Sequence, residues 1–394
     1  MRPVPPALST AVPGSFARDT LARRVPEILA QTRRGMGALT LEQERGFDEL
    51  GGELSSGGLR GLRAEAADRA FWDRAVTPFL GRSWLDLPWY FAEAYFYRRL
   101  LEATGYFGRG PGAGRDPFAA QKTEEWAPQE GPARLLAVLE GLPQTQDPLE
   151  RLSALLAASL WGNRADLSYN VARTLGAYSG QGSDLLVDHR SEVLAFFSRR
   201  RPRRITVIAD NAGTELLMDL ALVDHLLGGM EIERVEMHVK DHPFFVSDTI
   251  AADLPAAQAA LTGAKKPALA DLQSRVDAWL AAGRLVVASH PFYTSSLHYP
   301  ELPADLAAEL GRADLVILKG DANYRRLCSD AAWPPETPFS EVVAGFPAPL
   351  CTLRTLKAEV IVGLPPGLAA HLSEQDPSWM VNGRRGVIQA HLRL

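Results

Sequence analysis

Apolar residues recur at helical spacing through PWYFAEAYFYRRLLEAT (88–104) and PLERLSALLAASLWGN (148–163), a pattern that predicts two amphipathic helices. The whole stretch from Thr20 to Tyr178 has this character, broken where glycine and proline concentrate at 51–61, 108–117 and 141–148. After Gly182 the pattern changes. Short β-branched runs alternate with helical stretches: RITVIA (204–209), RVEMHV (234–239), RLVVAS (284–289), ADLVILK (313–319), AEVIVGL (358–364) and GVIQAHL (386–392). Runs this short and this apolar suit strands covered on both faces. The fold expected is α/β: a three-layer α/β/α unit with a mainly parallel sheet over 181–394, and a helical N-terminal domain over 1–180.

In open sheets of this kind, ligands bind beyond the carboxyl ends of the strands, where the loops converge. The residues directly after the apolar runs are Asp210 and Asn211, the loop from Lys240 to Asp248, Ser289 and His290, and Lys319, Gly320 and Asp321. They are the residue types that phosphate and metal chemistry use.

Composition narrows the possibilities. The 394 residues are 46% hydrophobic and 23% charged, enough for one large or two modest domains. A formal net charge of −5 provides no basic field, so neither nucleic acid nor an anionic membrane is an expected partner. No apolar run approaches the roughly 20 residues of a membrane span, and MRPVPPALSTAVPGSF lacks the apolar segment of a leader, so a cytoplasmic location is expected. Cys328 and Cys351 stand outside any CxxC or Cys/His pattern and read as reduced, buried thiols.

The strongest local signal is ITVIADNAGTELLMDLAL, in which a buried strand delivers Asp210 and Asn211 into a turn before a helix. An Asp carboxylate beside an Asn amide oxygen offers two hard ligands to a divalent cation. The helix N-terminus behind them would offer backbone N–H groups to a phosphate. Helix capping explains the same residues almost as well. In VKDHPFFVSDTI, Lys240 offers a cation and Asp248 a third oxygen ligand if the loop folds back, against a surface turn as the simpler alternative.

KGDANYRRL gathers Lys319, Asp321, Asn323 and Arg325 within seven residues, and LRTLK adds Arg354 and Lys357. Lysine and arginine there would neutralise a phosphoryl group, although such cations are often merely solvated. In the helical half, Glu93 and Arg98 stand charged among aromatic residues, each either facing solvent or pointing at the site, and Asn163 follows an apolar helix. Dinucleotide, P-loop, serine-hydrolase and HExxH motifs are missing.

Together, DNAGTELLMDL, KDHPFFVSD, LKGDANYRRL and LRTLK resemble the damage-control phosphatase family, once called domain of unknown function 89, in its third subfamily with the Arg-Thr-x-Lys motif, here Arg354-Thr355-Leu356-Lys357. WGNRADLS and WYFAEAYFYRR extend the likeness to the helical half, so that it runs from about Ser15 onward; Ala322 stands where a larger apolar residue is common. The resemblance implies a divalent metal (manganese, cobalt, nickel or magnesium) held by Asp210, Asn211 and Asp248. It further implies hydrolysis of small phosphate esters, sugar phosphates such as fructose 1-phosphate or fructose 6-phosphate in particular. Lys319, Asp321, Asn323, Arg354 and Lys357 would then contact phosphate and sugar.

Attack by water and attack by Asp210 are both open at this level. Two other functions compete. Members resembling this subfamily have been proposed as S-adenosylmethionine-dependent protein carboxyl methyltransferases, for which the first strand lacks a glycine-rich loop. A non-catalytic sugar-phosphate sensor would be expected to have a degenerate site, whereas all three presumed ligands are present.

Overall fold

A computed structural model describes residues 3–63, 65–143, 145–162 and 184–392. Seven strands form one sheet: β1 (Leu185–Asp188), β2 (Arg204–Ile208), β3 (Arg234–Val239), β4 (Leu285–Ser289), β5 (Leu315–Lys319), β6 (Leu350–Thr355) and β7 (Gly386–His391). Their order is β1-β7-β6-β5-β2-β3-β4. Five of them, β6-β5-β2-β3-β4, run parallel, while β7 is antiparallel to β6 and parallel to β1.

The chain leaves β2 toward β3 and β4, then crosses back to place β5 and β6 on the other side of β2. That reversal opens a crevice between the ends of β2 and β5, where the two connections diverge to opposite sides. Both strands are apolar because both are central: β5 is buried at all five positions and β2 at all but its first.

The two faces of the sheet carry separate cores. On one, Leu216, Leu220 and Leu227 of the Thr214–Gly228 helix join Leu152 and Trp161 of the Pro148–Trp161 helix, and Leu272 and Val276 of the Pro267–Ala281 helix. On the other, Phe292, Tyr293, Leu306, Leu310, Tyr324 and Leu327 pack against Ile208, Val316 and Leu318. The architecture is therefore α/β in three layers. A third core, centred on Trp72, Trp84 and the Trp89–Thr104 helix, is mainly helical and is joined by Phe244 and Ala358 from the second half of the chain. The described residues include no helix long and apolar enough to cross a membrane.

One expected strand is replaced by another. The run 358–364 is not in the sheet; β6 is LCTLRT, immediately before it. Ala358, Val360, Ile361 and Val362 are nevertheless buried. Their backbone is satisfied by side chains instead of a ladder: Arg354 donates to the carbonyls of Ala358 and Val360, and Gln389 Nε2 donates to that of Val362. β1, a short LLVD run, is an additional strand that was not among those expected. The thiols of Cys328 and Cys351 are free and buried, and burial pushes both up to about 12.

Candidate active site

The turn after β2 and the turn after β5 meet through Asp210 and Gly320. Gly320 has φ +88°, and a Cβ built on it would lie 2.0 Å from Asp210 Cγ. The glycine therefore serves both a left-handed backbone and the close approach of a carboxylate. The loop after β3 folds back onto the same corner, as its polar residues require if they are to act there. Asn211 and Asp248 form an antiparallel bridge, Thr249 N donates to the Asp210 carbonyl at 2.8 Å, and Ala212 N donates to the Ser247 carbonyl at 2.7 Å.

Side chains reinforce this joint. Asn211 Nδ2 donates to Asp210 Oδ2 at 2.8 Å and to Glu215 Oε2 at 2.9 Å, while its amide oxygen accepts from the Ser247 hydroxyl. Lys122 Nζ donates to the Asp248 carbonyl at 2.9 Å and to Asp253 Oδ2 at 2.8 Å, holding the loop from below. Asp210, Asn211 and Asp248 are all buried.

Buried carboxylates in one another's field resist ionisation. Burial, with Glu215 and Asp248 adding like charge, raises Asp210 well above the usual carboxylate range. Burial likewise pushes Asp248 up to about 6 in spite of Lys240. Lys240 Nζ stands 3.4 Å from Asp248 Oδ2, and no well-formed hydrogen bond reaches that oxygen. Two carboxylates and an amide oxygen that retains a second lone pair form a hard donor set, and an orphaned buried oxygen within it fits a divalent cation.

These residues open into a cavity of about 120 Å³. Trp89, Tyr97 and Phe245 line its apolar wall, with Glu93, Asp321 and Arg325 among its polar groups. Arg325 is not free to grip a ligand, because it donates to both oxygens of Asp330 and to Glu93 Oε2 at 2.6 Å, over the ring of Trp89. Asp321 accepts from Arg354 Nε at 2.8 Å and from the Lys357 backbone N–H at 3.0 Å. Asn323 is wholly buried and ties the ends of β2 and β5 together, donating to the Ala209 and Lys319 carbonyls.

Three expectations change here. Lys319 Nζ is fully buried and already engaged by the Ser159 carbonyl, Glu215 Oε1 and Asp219 Oδ1, at 2.7–2.9 Å. The two carboxylates hold it protonated, and its protons point beneath the site rather than into the cavity. Arg98 neither faces solvent nor reaches the cavity: it forms a two-pronged pair with Asp68 and lies 4.0 Å from the Phe107 ring centroid. The N-terminus of the Thr214–Gly228 helix is occupied from within, since Thr214 N donates to Glu125 Oε2 at 2.8 Å. Asn163 lies outside the described residues.

Sequence reading passed over several contributors. Glu215 had a usable signal, four residues beyond Asn211 and in the first turn of the helix that follows it. Arg24 had none: it belongs to an N-terminal turn that the fold brings to the cavity mouth beside Thr20 and Phe16. Arg24 and Lys357 are the exposed cations lining the cavity, and among the described residues neither side chain has a carboxylate partner. Their charge still acts locally, since Lys357 opposes the rise of Asp210 and Arg24 that of Glu93 and Tyr97.

Residues 20–372 match the family model of the damage-control phosphatase ARMT1-like domain. The chain is 31% identical over 451 residues to the damage-control phosphatase ARMT1 of Homo sapiens, covering 99% of both chains. Against the protein of the same name from Xenopus laevis, identity is 31% over 441 residues, with 98% of each covered. Among solved structures, a DUF89 family protein from Pyrococcus horikoshii superimposes with a TM-score of 0.49 at 15% identity, over 95% of this chain and 97% of that one.

Proposed function

This chain belongs to the ARMT1-like damage-control phosphatase family, and from that premise we propose that it is a divalent-metal-dependent phosphatase of small phosphate esters. Sugar phosphates, fructose 1-phosphate and fructose 6-phosphate among them, are the substrate class of this reading. The observation that carries it is one cavity lined both by Asp210, Asn211 and Asp248 and by the cations Arg24 and Lys357, whose side chains have no carboxylate partner among the described residues.

Asp210, Asn211 and Asp248 would hold the metal, which when bound supplies Lewis acidity and offsets charge on the phosphoryl oxygens. Arg24 and Lys357 have protons to spare for the remaining phosphoryl oxygens, and their approach from the cavity mouth suits an ester entering phosphate first. The rest of the polar shell orients. Glu93 is locked by Arg325, and Asp321 by Arg354, so that each presents its carboxylate in a fixed position to the hydroxyls of a polyol. Lys319 acts at one remove: it fixes Glu215, which fixes the Asn211 amide. The aromatic wall of Trp89, Tyr97 and Phe245 limits water and suits the apolar face of a sugar.

A screen of the purified protein against sugar phosphates and nucleotides tests this reading, run in EDTA and then with manganese, cobalt, nickel or magnesium. Hydrolysis of sugar phosphates restored by one of these metals is the expected result. Turnover that persists in EDTA, or none under any condition, would remove the proposal.

A further inference from the structure

A second cluster of metal-type donors lies away from this corner, on the sheet face that carries Tyr293 and the Ala304–Leu310 helix. Glu236 and His238 alternate on one face of β3, and Glu309 approaches them from that helix. One ligand atom from each lies within 4.8 Å of the others, a grouping of three met at no other place among the described residues.

The histidine separates this cluster from an ordinary acidic patch. His238 is 1% exposed, and its Nε2 makes no hydrogen bond. That nitrogen points between two carboxylates, 3.4 Å from Glu309 Oε1 and 4.0 Å from Glu236 Oε2. The other ring nitrogen, Nδ1, is 2.7 Å from the Tyr293 hydroxyl, which fixes the plane of the imidazole. Metal-ligating histidines are held in this way through their second nitrogen. Burial also favours the neutral ring, the form with a lone pair to give.

The carboxylates are suitably placed as well. Glu236 Oε1 is occupied by Arg204 and Arg234, which steadies the side chain and leaves Oε2 turned to the histidine. Glu309 is about a third exposed, so that a small rotation can shorten its approach. Ligands at 2.0–2.2 Å from one ion stand about 3–4 Å apart, close to the spacing seen here.

We propose that Glu236, His238 and Glu309 form a second cation site, distinct from the Asp210–Asp248 corner, that takes a zinc-class first-row divalent ion with water completing its coordination. Its effect is structural. It would clip the Ala304–Leu310 helix to β3, beside the 292–297 segment whose carbonyls hold the Arg326 guanidinium. Arg326 belongs to the Asp321–Leu327 helix, so the clip would brace the element that carries Asp321 and Arg325.

The test is zinc titration by calorimetry of the Asp248→Asn chain, with the first site weakened, against the same chain carrying Glu309→Gln or His238→Gln. The parent is expected to bind an equivalent of zinc that Glu309→Gln weakens at least 30-fold, and zinc should raise the Tm of the parent but not of the double variant. Because Glu309 is partly exposed, that variant should match the parent's metal-free Tm, which keeps the test valid if His238→Gln fails to fold. Zinc affinity and zinc-dependent Tm unchanged by Glu309→Gln, or no zinc bound by the parent, would overturn the proposal.

Discussion

Gly320 and Asp210 are in mutual contact across the crevice between β5 and β2, with space at the glycine for a hydrogen and no more. A methyl group there would meet both the carboxylate and a backbone at φ +88° that side chains resist. Gly320→Ala should therefore displace Asp210 and lower kcat/KM on the order of 10²-fold. Far-ultraviolet circular dichroism should show the fold retained. An alanine variant with full activity would mean that the position of Asp210 is unimportant.

Arg24 and Lys357 line the cavity from an N-terminal turn and from the segment after β6. Each is expected to donate to a phosphoryl oxygen, worth about 1.5–3 kcal/mol, so Arg24→Ala and Lys357→Ala should each lower kcat/KM about 10- to 100-fold. Stability should move by less than about 0.5 kcal/mol, because neither side chain has an ion pair to lose among the described residues. Arg23→Ala is the control: Arg23 pairs with Asp19 at the surface and does not line the cavity. Equal effects at positions 23 and 24 would make the loss a general charge effect.

Lys319 should behave in the opposite way. Replacing it with Met leaves Glu215 and Asp219 buried without their cation and should cost about 3–5 kcal/mol in urea unfolding. Activity per folded molecule should fall through kcat, because Glu215 and with it the Asn211 amide lose their support, while KM for the ester should not change. A variant of normal stability with a raised KM would instead make Lys319 a substrate contact.

How far the site could be read in advance depended on whether a residue's partner is local. The convergence of Asp210, Asn211 and Asp248 was legible because each follows a buried strand and the strand order brings those ends together. Arg98 looked like a charge that either faces solvent or points at the site, and Lys319 like a phosphate ligand by type and place. Their partners, Asp68 and the Glu215–Asp219 pair, are 30 and about 100 residues away, and nothing local announces such pairing. Arg24 was invisible for the same reason, since its turn reaches the cavity only through tertiary packing. The exchange of 358–364 for β6 shows the limit of apolar runs. Hydrophobicity marked burial correctly, but Arg354 and Gln389 decided which backbone joined the sheet.

The raised carboxylates imply a pH dependence in metal-free protein. Asp248 is pushed up to about 6 from an ordinary 3.8, so the folded chain binds its proton more tightly than the unfolded chain. The associated stability is complete below about pH 4 and is lost as pH rises through about 6, amounting to roughly 2–3 kcal/mol. In EDTA at pH 7, Asp248→Asn should therefore be more stable than the parent by about that amount, and the difference should vanish near pH 4. Saturating manganese at pH 7 should reverse the order, because only the parent keeps the full ligand set. Parallel stability curves for the two chains would rule out an ionised, strained Asp248.

The most direct measurement is a manganese titration of p-nitrophenyl phosphate hydrolysis by EDTA-stripped parent and Asp248→Ala chains, with folding monitored by circular dichroism. Manganese should restore turnover in the parent, while the folded variant should remain inactive or need at least a hundredfold more metal, on the order of 3 kcal/mol in binding. A stripped parent that turns over without metal, or a variant with the parent's manganese response, would contradict the assignment of the Asp210–Asn211–Asp248 corner.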